Sequence, residues 1–430
     1  MKNVTLLFTT FTLFTTLSFS QTVSETRRLF YGTDKDRLKH AEILRDFYLD
    51  ESPDSIYAIG SFLIKTGIRQ ENLAYLNYGK HIISRFYFEH GKAEISLQNL
   101  GECMVYYERK GDPKNLADAQ NMTGLAYMYR LGEKEAIHWF RKSLETAREL
   151  PEESEAYMAQ FNMAEAFYRL EDYDSAEKEL LSYFDKVKRN KLNKGLRRAY
   201  DLLGKICMAS GREKEGLKYY LKSVDLAWQN GDKLGLSFAH NNLAIAYFQL
   251  DKPDKAREAF EKSLHLRKAI NKPAQVCESY FNLGEYYYSV ENYPQAIAYY
   301  DSCTYLAEQN NLLVEQADAL GRIGECYRKS KNFEQACVYL ERHAAVQQQV
   351  LSQSKKDAHT LVEDLQDFQP GEQQLRQNMR ERKLQQRIAT AEFNSKLMLG
   401  LTLGFCLFFA WVLWKQKRKA DDAANTQKNI

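Results

Sequence analysis

Asn242-Leu243-Ala244-Ile245-Ala246-Tyr247, followed by Ala256 and Phe260, is the stretch on which the fold turns. Forty residues on, Asn282-Leu283-Gly284-Glu285-Tyr286-Tyr287 returns with Ala296 and Tyr300, and a further forty give Ile323-Gly324 and Tyr327 with Ala336 and Leu340. In the other direction stand Leu203-Gly204, Cys207, Gly216 and Tyr220, then Met163-Ala164, Phe167, Ala176 and Leu180. Two more steps reach Thr123-Gly124, Tyr127, Ala136 and Phe140, then Ile83-Ser84, Tyr87, Ser96 and Leu100. Seven units hold one register without an insertion. A repeat of this length is one supersecondary unit that buries its apolar face only by stacking on its neighbours.

The residue types say what the unit is. A small side chain at the first position lets one helix approach another closely. The second small position, twelve residues later, lies where the returning helix packs against that notch, and the bulky residues beyond fill the ridges. Helix stops recur between units, as in Gly111-Asp112-Pro113, Asn230-Gly231 and Asn271-Lys272-Pro273, and short polar turns such as Glu171-Asp172-Tyr173 fall inside them. The prediction is an all-α solenoid of helical hairpins.

The pattern Leu-Gly/Ala-x-x-Tyr followed by Ala-x-x-x-Phe/Tyr resembles the tetratricopeptide repeat over residues 77–350, with a forty-residue pitch in place of the family's usual thirty-four. The resemblance implies a right-handed α-solenoid whose first helices line a concave groove for peptides or proteins. Its inward positions here would be Asn121, Asn162, Asn241, Asn242, Asn282 and Arg322. Aromatic positions interleave with them: Phe238, Phe248, Phe281 and Tyr288, with Tyr129, Phe161 and Tyr168 beside them. Asparagine both donates to and accepts from an extended backbone, and flat aromatics add apolar contact at low entropic cost. Residues 35–76 are helical by pattern but carry Leu44 and Ile56 at the small positions, as expected of a degenerate first hairpin or cap.

The two ends predict a membrane protein. Residues 1–20 combine Lys2, an uncharged apolar run and Ser18-Phe19-Ser20, the pattern of a secretory signal. Residues 397–414 are uncharged between Lys396 and Lys415, long enough at ~1.5 Å per residue for one transmembrane helix. The tail 415–430 opens with Lys415, Lys417, Arg418 and Lys419, which the positive-inside rule places in the cytoplasm. Gly400 and Gly404 form a GxxxG pair that would allow a homodimer through the span. Residues 351–396 read as a helical stalk of coiled-coil character that Pro370-Gly371 interrupts.

That plan resembles the sensor half of bacterial membrane-bound tetratricopeptide regulators. It implies a single-pass inner-membrane protein with its repeats on the periplasmic side, binding a peptide or protein as a sensor or receptor. The alternative is a cell-envelope scaffold that transmits nothing.

Chemistry beyond binding finds no support. There is no HExxH, phosphate loop, GxSxG or clustered Cys and His, so no catalytic residues, metal site or cofactor are expected. A net charge of +3, from 60 basic and 57 acidic residues, gives no basic field for nucleic acid. The seven cysteines read as small core residues, with Cys326–Cys337 and Cys277–Cys303 the pairs whose spacing would suit a disulfide.

Overall fold

The structure, a computed structural model, describes residues 34–48, 53–148, 150, 154–189 and 195–428, and within the last helix the side chains of 357–367, 394–395 and 397–430 lie outside that description. The described residues form helices and no strand. The helices run in pairs: α1 (Asp34–Tyr48) and α2 (Pro53–Arg69), α3 (Leu73–Glu89) and α4 (Ala93–Lys110), α5 (Pro113–Tyr129) and α6 (Glu133–Ala147), α7 (Ser154–Arg169) and α8 (Tyr173–Arg189). They continue with α9 (Leu196–Ala209) and α10 (Glu213–Gln229), α11 (Lys233–Gln249) and α12 (Pro253–Ile270), α13 (Pro273–Ser289) and α14 (Tyr293–Gln309), α15 (Leu313–Lys329) and α16 (Phe333–Lys428). The chain divides into two compact units. The first holds the array through Glu363; the second joins Ile68–Glu71 to Asp364–Ile430 and consists, over its longer part, of helix carrying i,i+4 pairs such as Arg376–Glu372 at 2.6 Å.

Turn chemistry explains the even helix lengths. Residues 71, 91, 111, 131, 171, 211, 231, 251, 271, 291, 311 and 331 all take the left-handed conformation, with φ between 52° and 75°. Among the described residues these turns stand at multiples of twenty residues apart, so the forty-residue unit is two half-units. The N–H of the next residue bonds back to the carbonyl five earlier, as from Asp112 to Tyr107 at 3.0 Å and Lys252 to Tyr247 at 2.9 Å, closing the helix end. That next residue then starts the following helix: Asp232 Oδ1 accepts from Gly235 N–H at 2.7 Å and Asp112 Oδ1 from Asn115 N–H at 3.2 Å. Gly111 adopts the turn without strain, whereas Leu131 holds φ 58° with its side chain 81% exposed. Leu131→Gly is expected to stabilise the protein by about 1 kcal/mol. An unchanged or lowered melting temperature in circular dichroism would refute this.

Between paired helices the small residue accommodates a large one sixteen positions on. A Cβ on Gly204 would come within 2.7 Å of the Tyr220 ring, and one on Gly324 within 2.8 Å of Leu340. Gly124 faces Phe140 and Gly284 faces Tyr300 in the same way. Tyr300 and Phe140 are fully buried as a result. The second small position matters too: a Cβ on Gly216 would lie 3.0 Å from the Gly204 carbonyl. In the first hairpin the sizes are exchanged, with Leu44 buried at the small position and Gly60 at the large one.

Successive hairpins pack through α4 on α5, α6 on α7 and so on, and first helices also touch first helices, as α5 with α7 and α9 with α11. Second helices form no comparable pair among the described residues. The row of first helices is therefore the tighter, inner side of the array, and this positions the site below.

His81, wholly buried in α3, lies with Nδ1 3.3 Å from the Tyr107 hydroxyl and Nε2 3.6 Å from Asp118. Arg45 lies 3.2 Å from the same carboxylate. Burial holds the imidazole below its ordinary pKa of 6.5, and Asp118 opposes this incompletely. On unfolding, His81 takes up a proton that the folded state refuses, so stability is lost as pH falls below 6.5. His81→Gln is expected to flatten that acid limb in melting curves recorded against pH; parallel limbs in variant and parent would contradict it.

The membrane placement is corrected. Among the described residues no helix is long and apolar enough to cross a membrane. The side chains of 397–414, Gly400 and Gly404 among them, lie outside the described residues, as do the tail side chains and the whole of residues 1–20. A single-pass inner-membrane assignment therefore has no support in the fold. The stalk also differs from expectation, since α16 runs through Pro370 as one helix. A proline removes one N–H and bends a helix without having to end it.

Candidate functional site

Helices α7, α9, α11 and the start of α13 present their inner faces to a groove of about 620 Å³. Phe161 and Tyr168 of α7, Leu202 of α9 and Phe238 of α11 supply its apolar surface. Five basic residues line it (Arg169, Arg197, Arg198, Lys205 and Lys272) against three acidic ones, Glu165, Asp201 and Asp232. A second pocket of about 400 Å³ shares Tyr168, Lys205 and Asn242 and extends the surface to Met208, Tyr220 and Ile245. The two form one strip across α7, α9 and α11, edged by Tyr220 of α10.

Charge in this strip is partly fixed. Arg197 pairs with Asp201 at 2.6 Å and approaches Asp232 at 3.9 Å, while Arg169 lies 3.4 Å from Glu165. Arg198 stacks its guanidinium 4.9 Å above the Phe161 ring and stays exposed, as does Lys205. Burial raises the Asp201 pKa, opposed by Ser223, Arg197 and Asn242.

The sequence-derived groove residues fall into three groups. The first is a ladder between first helices. Asn162 Nδ2 donates to Asn121 Oδ1 at 2.9 Å, and Asn282 Nδ2 to Asn241 Oδ1 at 2.8 Å. Asp201 and Asn242 occupy the same two positions, one repeat plus one residue apart. Asn121, Asn162 and Asn241 are buried, so these amides join one hairpin to the next.

The second group lies on α13 and α15. Arg322 forks onto Glu285, and its guanidinium sits 4.4 Å over the Tyr288 ring. The Tyr300 hydroxyl also donates to Glu285 at 2.6 Å, and burial together with that carboxylate pushes its pKa well up. Tyr288 donates to Glu325 at 3.3 Å. Third come the aromatics: Phe281 is half-buried 5.5 Å from Tyr300, and Phe248 is 39% exposed with its edge toward Tyr286. Phe238 lies half-buried beneath Arg267. Of the residues singled out from the sequence, the groove between α7 and α13 brings together Phe161, Tyr168, Phe238 and Asn242.

Sequence reasoning missed the basic lining. Arg198, Lys205 and Lys272 stand outside the aromatic and amide positions, in helices whose charge pattern looks like ordinary solvated surface. It also missed Arg267, whose side chain is fully buried. Its guanidinium donates to Gln275 O and Ser279 Oγ, each at 3.0 Å, and pairs with Glu278 at 3.2 Å.

Among the described residues one trio has metal-capable atoms, Glu177, Cys207 and Glu215. Arg212 already bridges its carboxylates, at 2.6 Å to Glu177 and 3.4 Å to Glu215. Burial pushes the Cys207 thiol up to about 11, which makes it a poor thiolate ligand. The trio is a clamp between α8 and α10.

Two family models described as tetratricopeptide repeat match the chain, one over residues 196–269 and the other over 278–310 and 317–343. No curated protein matches the sequence. Among solved structures, the apo form of the quorum sensor NprR from B. thuringiensis is similar at 15% identity and TM-score 0.50, covering 76% of this chain and 87% of that one. A signal transduction ATPase with a tetratricopeptide repeat sensor from Pyrococcus horikoshii is similar at 16% identity and TM-score 0.50, covering 74% of this chain and 47% of its own. At such identities the likeness concerns the fold. The stretch from 196 to 343 carries tetratricopeptide repeats, set in an all-α helical-repeat solenoid.

Proposed function

We propose that this protein binds an extended, carboxylate-bearing peptide or protein segment along the inner row of first helices, between α7 and α13. The observation that carries the reading is the groove itself, where apolar rings lie between basic side chains in excess over acidic ones. Aromatic faces accept apolar side chains at little entropic cost, and the surrounding cations favour a partner of opposite sign and speed its arrival. Tetratricopeptide repeats in the same stretch support it.

Selection of random peptides by display on the full-length protein, followed by fluorescence polarisation of the retained sequences, tests the proposal. Retained peptides are expected to be enriched in Asp and Glu. The double variant Arg198→Glu, Lys205→Glu should weaken their binding at least ~10-fold. Trp228→Ala, at a residue 74% exposed in α10, should leave it unchanged. Equal binding by the charge-reversed variant would refute the site.

A further inference from the structure

Where the two helices of a hairpin cross, residues 26 apart meet, and in three hairpins the second helix donates there to a carbonyl of the first. Cys103 Sγ donates to Asn77 O at 3.1 Å, Ser143 Oγ to Ala117 O at 2.7 Å and Ser263 Oγ to Ser237 O at 2.9 Å. The α13/α14 hairpin departs from this. Both positions are cysteine, and the direction reverses: Cys277 Sγ donates to Cys303 O at 3.7 Å, while Cys303 Sγ points to Glu315 O at 3.9 Å.

Both thiols are free and excluded from bulk solvent. Yet both line one pocket of about 290 Å³, with Gln275, Glu278, Phe281, Glu315 and Asp318 around it. Cys277 Sγ thus reaches the backbone of Cys303 itself. The nearby thiols influence each other, lowering the Cys277 pKa and raising that of Cys303, so Cys277 is the readier thiolate.

We propose that Cys277 and Cys303 are an oxidation site, at which hydrogen peroxide entering through this pocket converts the two thiols into a disulfide that staples α13 to α14. The Cys277 thiolate attacks one peroxide oxygen and the O–O bond breaks; the departing hydroxide takes the Cys277 proton and leaves as water. The sulfenic acid at Cys277 is then attacked by Cys303 sulfur, forming the S–S bond and releasing a second water with the Cys303 proton. Two thiols are oxidised and one peroxide is reduced to two waters. The bond closes a loop between residues 26 apart, which restricts the unfolded chain. It also fixes the backbone beside Phe281.

The test treats the folded full-length protein with hydrogen peroxide, alkylates remaining thiols in denaturant, and maps the digest by mass spectrometry. A linked Cys277–Cys303 peptide is expected, with a mass loss of about 2 Da. A melting temperature raised by several degrees and restored by dithiothreitol should accompany it. Cys303→Ser should abolish the link and leave a sulfenic acid at Cys277 that dimedone traps. Should Cys277 and Cys303 both remain fully alkylated after exposed Cys337 has been oxidised, the site does not exist as proposed. A link that forms only in denaturant would overturn it equally.

Discussion

Gly79→Ala is expected to destabilise the amino-terminal end of the array by about 2–3 kcal/mol, although alanine is the better helix former. The reason is backbone against backbone. A Cβ at Gly79 would lie 2.7 Å from the Gly60 carbonyl oxygen and 2.9 Å from the Ile64 amide nitrogen, both in α2. Neither atom can turn aside as a side-chain tip can, and carbon contacts are optimal only at about 3.5–4.0 Å. Helices α2 and α3 would have to separate, opening a cluster that includes Ile59, Leu63, Tyr75 and Ile82. In a linear array the damage should stay local. Hydrogen exchange should therefore quicken over residues 56–83 and remain unchanged beyond α9. Uniform acceleration along the chain, or none, would contradict this reading.

Arg267→Ala should cost about 3–5 kcal/mol and weaken ligand binding at the same time. Arg267 is the largest fully buried side chain among the described residues. Burial lowers its pKa, and Glu278 opposes the shift, so the cation is held by its partners against the cost of desolvation. Removing it takes one donor from Gln275 O and the donor from Ser279 Oγ, opens a cavity, and takes away the cation lying 5.0 Å over Phe238. Phe238 and Gln275 both line the groove, so the stability loss and the binding loss share a cause. Arg257→Ala, which breaks an exposed i,i+4 pair with Glu261 in the same helix, should leave melting and binding as they were. Urea denaturation and fluorescence polarisation on the two variants separate these outcomes.

The cadence of small residues made the solenoid legible, because a notch for a ring cannot be filled by anything larger. Gly204 with Tyr220 and Gly324 with Leu340 show why the spacing repeats so strictly. The left-handed turns were visible only in part. Glycine announces them at Gly111 and Gly231, but Leu131 and Lys331 take the same conformation and give no local sign of it.

Within its own helix, each amide has the position of a ligand contact. The structure pairs Asn121 with Asn162 and Asn241 with Asn282, 41 residues apart. That offset could have been seen, since the same two positions hold Phe161 with Leu202, and Asp201 with Asn242, so that apolar meets apolar and polar meets polar. Arg267 offered no signal, as a basic residue in the last turn of a helix is ordinarily solvated. The inner-membrane placement rested on the two ends of the chain, whose side chains the structure does not describe.

Hydrogen exchange of the full-length protein with and without a selected acidic peptide most directly tests the claim that the inner row is the binding face. Slowed exchange is predicted in α7, α9 and α11, across Phe161, Lys205 and Phe238, with no change in α8 and α12. Protection confined to those second helices, or none at saturating peptide, would contradict the account.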